Sequence, residues 1–145
     1  MGRVTVVAKI ESLRDLYESS SDRLQPEQVR TVRVEQALVD TGASSLSMPR
    51  TLIDQLGLKP TRSRRVRTAT GSVEIQGFDA VKLTVQDRDC IIDVLEVPEE
   101  CPVLIGQILL QLLDFVVDPN HHQLVGNPEH GGEQMMEMYG FFDPS

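Results

Sequence analysis

The sequence predicts an all-β chain, mostly β with one or two short helices, closed into a small barrel. Three observations carry this. Short stretches rich in Val, Ile and Thr recur along the chain, separated by Gly, Pro, Asn and Asp turn signals. Only two stretches, Pro49 to Leu56 and Gln107 to Asp114, combine a convincing helical pattern with start or stop signals. The third is an apolar run, Ala37-Leu38-Val39, that ends abruptly at Asp40-Thr41-Gly42-Ala43-Ser44. A buried strand that delivers a carboxylate to a glycine turn is an odd device for stability alone, because an ionised carboxylate is costly to desolvate. The Thr41 hydroxyl and the Gly42 N–H are the nearest groups able to satisfy it.

Taken in order, Val4 to Ile10 reads as a first strand on β-propensity. Glu11 to Gln25 is polar, with Leu13, Leu16 and Tyr17 at helical spacing, and reads as a surface insertion with a short helix. Val29 to Val39 is the next strand, with Val32 and Val34 alternating against Arg33 and Glu35. Ser45 to Met48 is a short strand. Pro49 to Leu56 follows as a helix, with Pro in its first turn and Gly57 as its stop. Arg64 to Thr68 and Ser72 to Gln76 flank Ala69-Thr70-Gly71 as a hairpin, its tip near Gly71. Phe78 to Gln86 and Cys90 to Val97 form another hairpin through Asp87-Arg88-Asp89. Val103-Leu104-Ile105-Gly106 leads into the second helix, and Phe115 to Val117 pairs with Gln123 to Val125 around Asp118-Pro119-Asn120. Beyond Gly126 no periodicity is evident.

Composition narrows the function classes. At 145 residues, with 40% hydrophobic and 25% charged, the chain forms one domain with its own core. A net charge of −8 argues against general nucleic-acid binding. No apolar run approaches the roughly 20 residues of a membrane span, and Met1-Gly2-Arg3-Val4 lacks a secretory segment. Cys90 and Cys101 make no disulfide framework, which points to a reducing, cytoplasmic setting. His121-His122 and His130 lack ligand spacing, so neither a metal nor another cofactor is expected.

The string Ala37 to Ser44 resembles the active-site loop of aspartic proteases, which reads hydrophobic-hydrophobic-Asp-Thr/Ser-Gly-Ala/Ser. Val103-Leu104-Ile105-Gly106 and its helix are similar to the apolar-apolar-Gly element that crosses beneath that loop in the family. With a hairpin between the two, Val29 to Val125 resembles one retropepsin subunit.

The resemblance implies a closed acid-protease barrel over residues 1–126, with residues 127–145 as a tail that is flexible or packs on a dimer. It implies an aspartic endopeptidase cutting polypeptides with Asp40 as the catalytic residue. Since the chain holds one Asp-Thr-Gly where the chemistry needs two aspartates, it implies a homodimer. Thr41 would bond its symmetry mate, and Gly42 would let the backbone approach the carboxylates. Ala43 and Ser44, with the flap residues Ala69, Thr70 and Gly71, would contact substrate, while Leu104, Ile105 and Gly106 would support the loop. Two departures matter. Pepsin-like enzymes often carry Ser at Ala43, and its missing donor implies a milder working pH. Retroviral enzymes often carry Asp at Ser44 and several flap glycines, so weaker anchoring and a less mobile flap are implied.

Plainer readings stand beside these. Asp40 also fits an Asx turn at a strand end, and the same fold without catalysis would be a peptide-binding module. Arg62, Arg64, Arg65 and Arg67 form either a solvated outer face or a selector of acidic substrate side chains. Cys90 and Cys101 read as structural thiols or as sites of regulatory oxidation. The tail Met135-Met136-Glu137-Met138-Tyr139-Gly140-Phe141-Phe142 is an ordered or disordered end, a dimer contact, or a groove-bound segment open to self-cleavage at Phe141-Phe142.

Overall fold

A computed structural model describes residues 3–142, with the side chains of Phe141 and Phe142, the expected self-cleavage pair, outside the described part. Nine strands follow one another: β1 (Thr5–Ser12), β2 (Thr31–Val39), β3 (Leu46–Pro49), β4 (Pro60–Thr68), β5 (Gly71–Val85), β6 (Arg88–Val97), β7 (Leu104–Ile105), β8 (Phe115–Asp118) and β9 (Gln123–Gly126). Helices α1 (Leu13–Ser20), α2 (Arg50–Gln55) and α3 (Gln107–Leu113) lie between them, and α4 (Tyr139–Phe142) is the last described element.

The main sheet runs β1-β2-β7-β3-β6-β5-β4, and a further β1–β5 pairing closes six of these strands into a ring. Closure runs through Lys9 to Ser12 against Thr84 to Val81. Strand β4 stays outside the ring and, among the described residues, pairs only with β5. Alternation explains the core: Val6, Ala8 and Ile10 of β1 and Val81, Leu83 and Val85 of β5 point inward, where Phe78, Leu46, Met48 and Ile105 join them. Helix α2 adds Ile53 and α3 adds Leu109, Leu110 and Leu113. Each such aliphatic side chain contributes roughly 1.5–3 kcal/mol by leaving water. The all-β expectation is borne out, including the closed barrel.

Two details differ from the sequence reading. The two stretches expected between Ser72 and Gln86 form one strand of 15 residues. Strand β5 bends where its partner changes from β4 to β1, with register shifts at Phe78/Val81 and at Pro60/Ser63. Gly77 lies at that bend, where a Cβ would come within 2.8 Å of the Arg62 carbonyl oxygen. The following turn is Gln86-Asp87, both at positive φ, so Arg88 and Asp89 belong to β6.

The polar insertion is more ordered than its composition suggests. Ser12 caps α1 by accepting the Asp15 N–H at 3.2 Å. Asp15, only 5% exposed, accepts from the Arg30 backbone and twice from its guanidinium at 2.8–2.9 Å. Those guanidinium bonds hold its carboxyl below the usual range despite burial. One side chain thus ties α1 to the start of β2.

Candidate active site

Strand β2 brings Asp40 to the end of the barrel. Leu38 and Val39 pair in parallel with Leu104 and Ile105, and the Asp40 N–H donates to the Ile105 carbonyl at 3.0 Å. The chain then turns: the Gly42 N–H donates to Asp40 Oδ1 at 3.0 Å and the Ala43 N–H to the Asp40 carbonyl at 3.1 Å. Strand β3 leaves antiparallel to β7, Leu46 opposite Ile105. The loop therefore wraps the end of β7, where Gly106 stands.

Gly106 is glycine for space. Its φ of −88° suits any residue. A Cβ there, however, would lie 2.4 Å from the Ser44 carbonyl carbon, 2.7 Å from the Ser45 nitrogen and 2.8 Å from the Ala43 carbonyl carbon. The close approach has a hydrogen-bonding purpose. Helix α3 begins at Gln107 without a side-chain cap, so its first N–H groups need acceptors. The loop supplies them: Gly106, Gln107 and Ile108 donate to the carbonyls of Ser45, Ala43 and Ser44 at 3.0, 2.8 and 3.1 Å. Leu109 and Leu113, fully buried, anchor the helix in the core. The position of the acid is thus fixed by β2 on one side and by a rooted helix on the other.

Asp40 is half-buried and shares a pocket of about 460 Å³ with Arg3, Val39, Thr41, Pro119 and His122. Thr41, Gly42 and Ser44 are exposed, and Ala43 is half-buried. The expected flap residues lie on the projecting β4–β5 hairpin, Ala69-Thr70 forming its two-residue tip between Thr68 and Gly71. None of the three lines the Asp40 pocket. Of the three residues read as supports, Leu104 pairs with Leu38 and Ser47 in the flanking strands, Ile105 accepts the Asp40 N–H, and Gly106 donates to the Ser45 carbonyl. Arg3 and His122 were not foreseen: an arginine before the first strand and a histidine in a hairpin turn carry no sequence signal that would place them beside Asp40.

The sequence model of the family described as aspartyl protease matches residues 28–109. The chain belongs to the aspartyl protease family. The resemblance read from Asp40-Thr41-Gly42 and Leu104-Ile105-Gly106 is borne out at that level. The family match spans the Asp40 loop, the hairpin and the start of α3, while β1, which closes this aspartyl protease barrel, lies before it. Among solved structures the chain is similar to the EIAV protease complexed with the inhibitor HBY-793. That match has 18% identity over 76% of this chain and 86% of that one, with a TM-score of 0.47. No curated protein matches the chain.

A second polar cluster lies at the other end of α3. Asp114, at φ 59°, ends the helix and is only 6% exposed. Its carboxylate receives Asn127 Nδ2 at 3.2 Å, the Met135 N–H at 3.0 Å and His130 Nδ1 at 2.5 Å, while His130 Nε2 meets Glu137 at 2.6 Å. Glu137 and Asp114 together raise the His130 pKa above its ordinary value. For Asp114, burial opposes ionisation, but the bonds from His130, Asn127 and Met135 outweigh it and lower the pKa. Arg88 adds bonds to the carbonyls of Leu113, at 3.0 Å, Asp114, at 2.7 Å, and Gly132, and stacks 4.5 Å over the Phe115 ring. Residues 127–137 are thereby fastened to the base of the helix whose top holds the Asp40 loop. Among the described residues no cluster of His, Cys, Asp and Glu suits a metal ion.

Proposed function

We propose that this protein is an aspartic endopeptidase that works as a homodimer, with Asp40 of each subunit forming the catalytic dyad. The observation that carries the reading is the construction around Asp40: an acid held at a strand end, bonded by the Gly42 N–H, on a loop capped against α3 through Gly106. A binding module needs no such acid. The chain supplies one Asp-Thr-Gly, so a second copy completes the site.

In the dimer two carboxylates about 3 Å apart cannot both ionise and share one proton. The ionised member takes a proton from a water held between them, the protonated member polarises the scissile carbonyl, and the water attacks to give a tetrahedral diol. The apparent pKa values belong to the pair. Neither metal nor cofactor enters this chemistry. Thr41 tethers the two loops, Ala43 and Ser44 line the substrate groove, and Ala69, Thr70 and Gly71 close over the substrate. Residues 1–126 form the protease domain in this reading. Because Ala43 gives the dyad no side-chain donor, activity peaks in the mildly acidic to neutral range. Two free thiols suit a reducing, cytoplasmic setting, and no described helix is long and apolar enough to cross a membrane.

Digestion of a mixed peptide library, read by mass spectrometry from strongly acidic to neutral pH, tests this, with Asp40→Asn alongside and light scattering for mass. Cuts between apolar residues that vanish in the variant, from a dimeric protein, are the expected result. A monomer that cuts nothing would instead assign the fold to peptide binding, and a rate peaking at the acid extreme would refute the role given to Ala43.

A further inference from the structure

Strand β4 ends the sheet, and among the described residues only its edge toward β5 is hydrogen-bonded. The other edge leaves backbone N–H and C=O groups free to pair with another strand. Along it Arg62, Arg64, Arg65 and Arg67 are all exposed. Between Lys59 and Gln76 five basic residues face a single acidic one, Glu74, in a chain whose net charge is −8. Arg64 pairs with Asp93. Arg62, Arg65 and Arg67 have no ion-pair partner among the described residues, although Glu74 stands opposite Arg65 in the register.

Charged side chains on an edge also deter sheet-to-sheet aggregation. That purpose is served by either sign, and by one or two residues. Here Arg65 and Arg67, two positions apart on one face of the strand, repel each other, an arrangement relieved when carboxylates arrive at the same spacing.

We propose that β4 is a docking strand for an extended acidic segment of the polypeptide substrate. The segment adds to the free edge through main-chain hydrogen bonds and sets Asp or Glu at alternate positions against Arg65 and Arg67. Arginine suits this role, since its planar fork takes a carboxylate through two parallel bonds. The word substrate rests on the peptidase reading. The docking itself needs no catalysis.

Fluorescence anisotropy on the Asp40→Asn protein tests the docking. The probe is an extended apolar peptide with Glu at alternate positions, compared with the same peptide carrying Gln. The Glu probe binds roughly tenfold more tightly at low salt, as two or three exposed ion pairs allow, and added salt closes the gap. Arg65→Ser with Arg67→Ser removes the preference. Arg65→Glu with Arg67→Glu transfers it to a Lys probe, which shows that the hairpin is intact. Methylating alternate backbone nitrogens of the Glu probe abolishes binding. Equal binding of the Glu and Gln probes, an unchanged preference in the Ser variant, or undiminished binding of the methylated probe would overturn the proposal. So would a single-stranded oligonucleotide that displaces the Glu probe at equal concentration, which would mark a general anion patch. Cleavage of the same peptides by the wild-type protein is scored separately, so docking without cleavage refutes only the peptidase reading.

Discussion

Replacing Gly106 by alanine adds one methyl group at the point where the Asp40 loop crosses α3. The backbone there suits alanine, so the effect is steric alone. Carbon atoms pack at about 3.5–4.0 Å, and the new Cβ would lie 2.4 Å from the Ser44 carbonyl carbon. All three nearest atoms are backbone, so no side chain can swing away, and the loop must retreat by about 1 Å. Overpacking of this kind costs about 1–3 kcal/mol. The retreat also strains the three bonds from Gly106, Gln107 and Ile108, each worth about 1 kcal/mol net. A total loss of about 2–4 kcal/mol follows, a large share of the stability of a typical domain.

The chain has no tryptophan, so unfolding in urea is best followed by far-UV circular dichroism, at fixed protein concentration because a dimer's stability depends on it. Amide exchange at Gln107 and Ile108 should accelerate in the same variant. Gly131→Ala is the control: its φ is +66° and nothing lies within 4 Å of a built Cβ, so it carries only conformational strain, about 1 kcal/mol. A Gly106→Ala protein within about 0.5 kcal/mol of wild type, with unchanged exchange at those amides, would refute the argument that the loop caps the helix by close approach. In an active enzyme the same variant should lose about 10²-fold in kcat/KM, because a shift of 1 Å at the acid is enough.

The tail cluster should respond to pH through His130. Its folded pKa is raised, so its contribution is full below the ordinary value of 6.5 and fades as pH rises through the folded value. Amide exchange at residues 131–137, corrected for intrinsic pH effects, should therefore speed up on the alkaline side, and His130→Gln should remove that dependence. An identical pH response in the variant would assign the effect elsewhere. Burial, with help from Asp89, pushes the Cys90 thiol up from 9.0 to about 11, so at a given pH it holds about 100-fold less thiolate than an unperturbed thiol. Native Cys90 should alkylate about tenfold more slowly than free cysteine, since the scarcer thiolate is also the stronger nucleophile, and matching rates would refute its seclusion and any role as a ready redox sensor.

How much of this could be read in the sequence follows from the range of the interactions. The Asp40 turn was legible because its chemistry is local: strand, acid and glycine stand side by side. The strands were legible because alternation is written along each of them. The Asp15–Arg30 pair, the Arg88–Asp114–His130 cluster and the shared pocket of Arg3, His122 and Asp40 were not, because each brings together isolated polar residues far apart in sequence, which leave no period. Helix α3 lies between these cases. Its start, Gly106-Gln107, lacks the Ser, Thr, Asp or Asn that usually receives the first N–H groups. A rooted apolar helix with no cap of its own implies an acceptor from elsewhere in the chain, and a glycine at that point implies that the acceptor is backbone arriving at close range. The carbonyls of Ala43, Ser44 and Ser45 meet both conditions. The missing cap is therefore a sequence signal in its own right, and it links the two motifs of the candidate site before any distance between them is known.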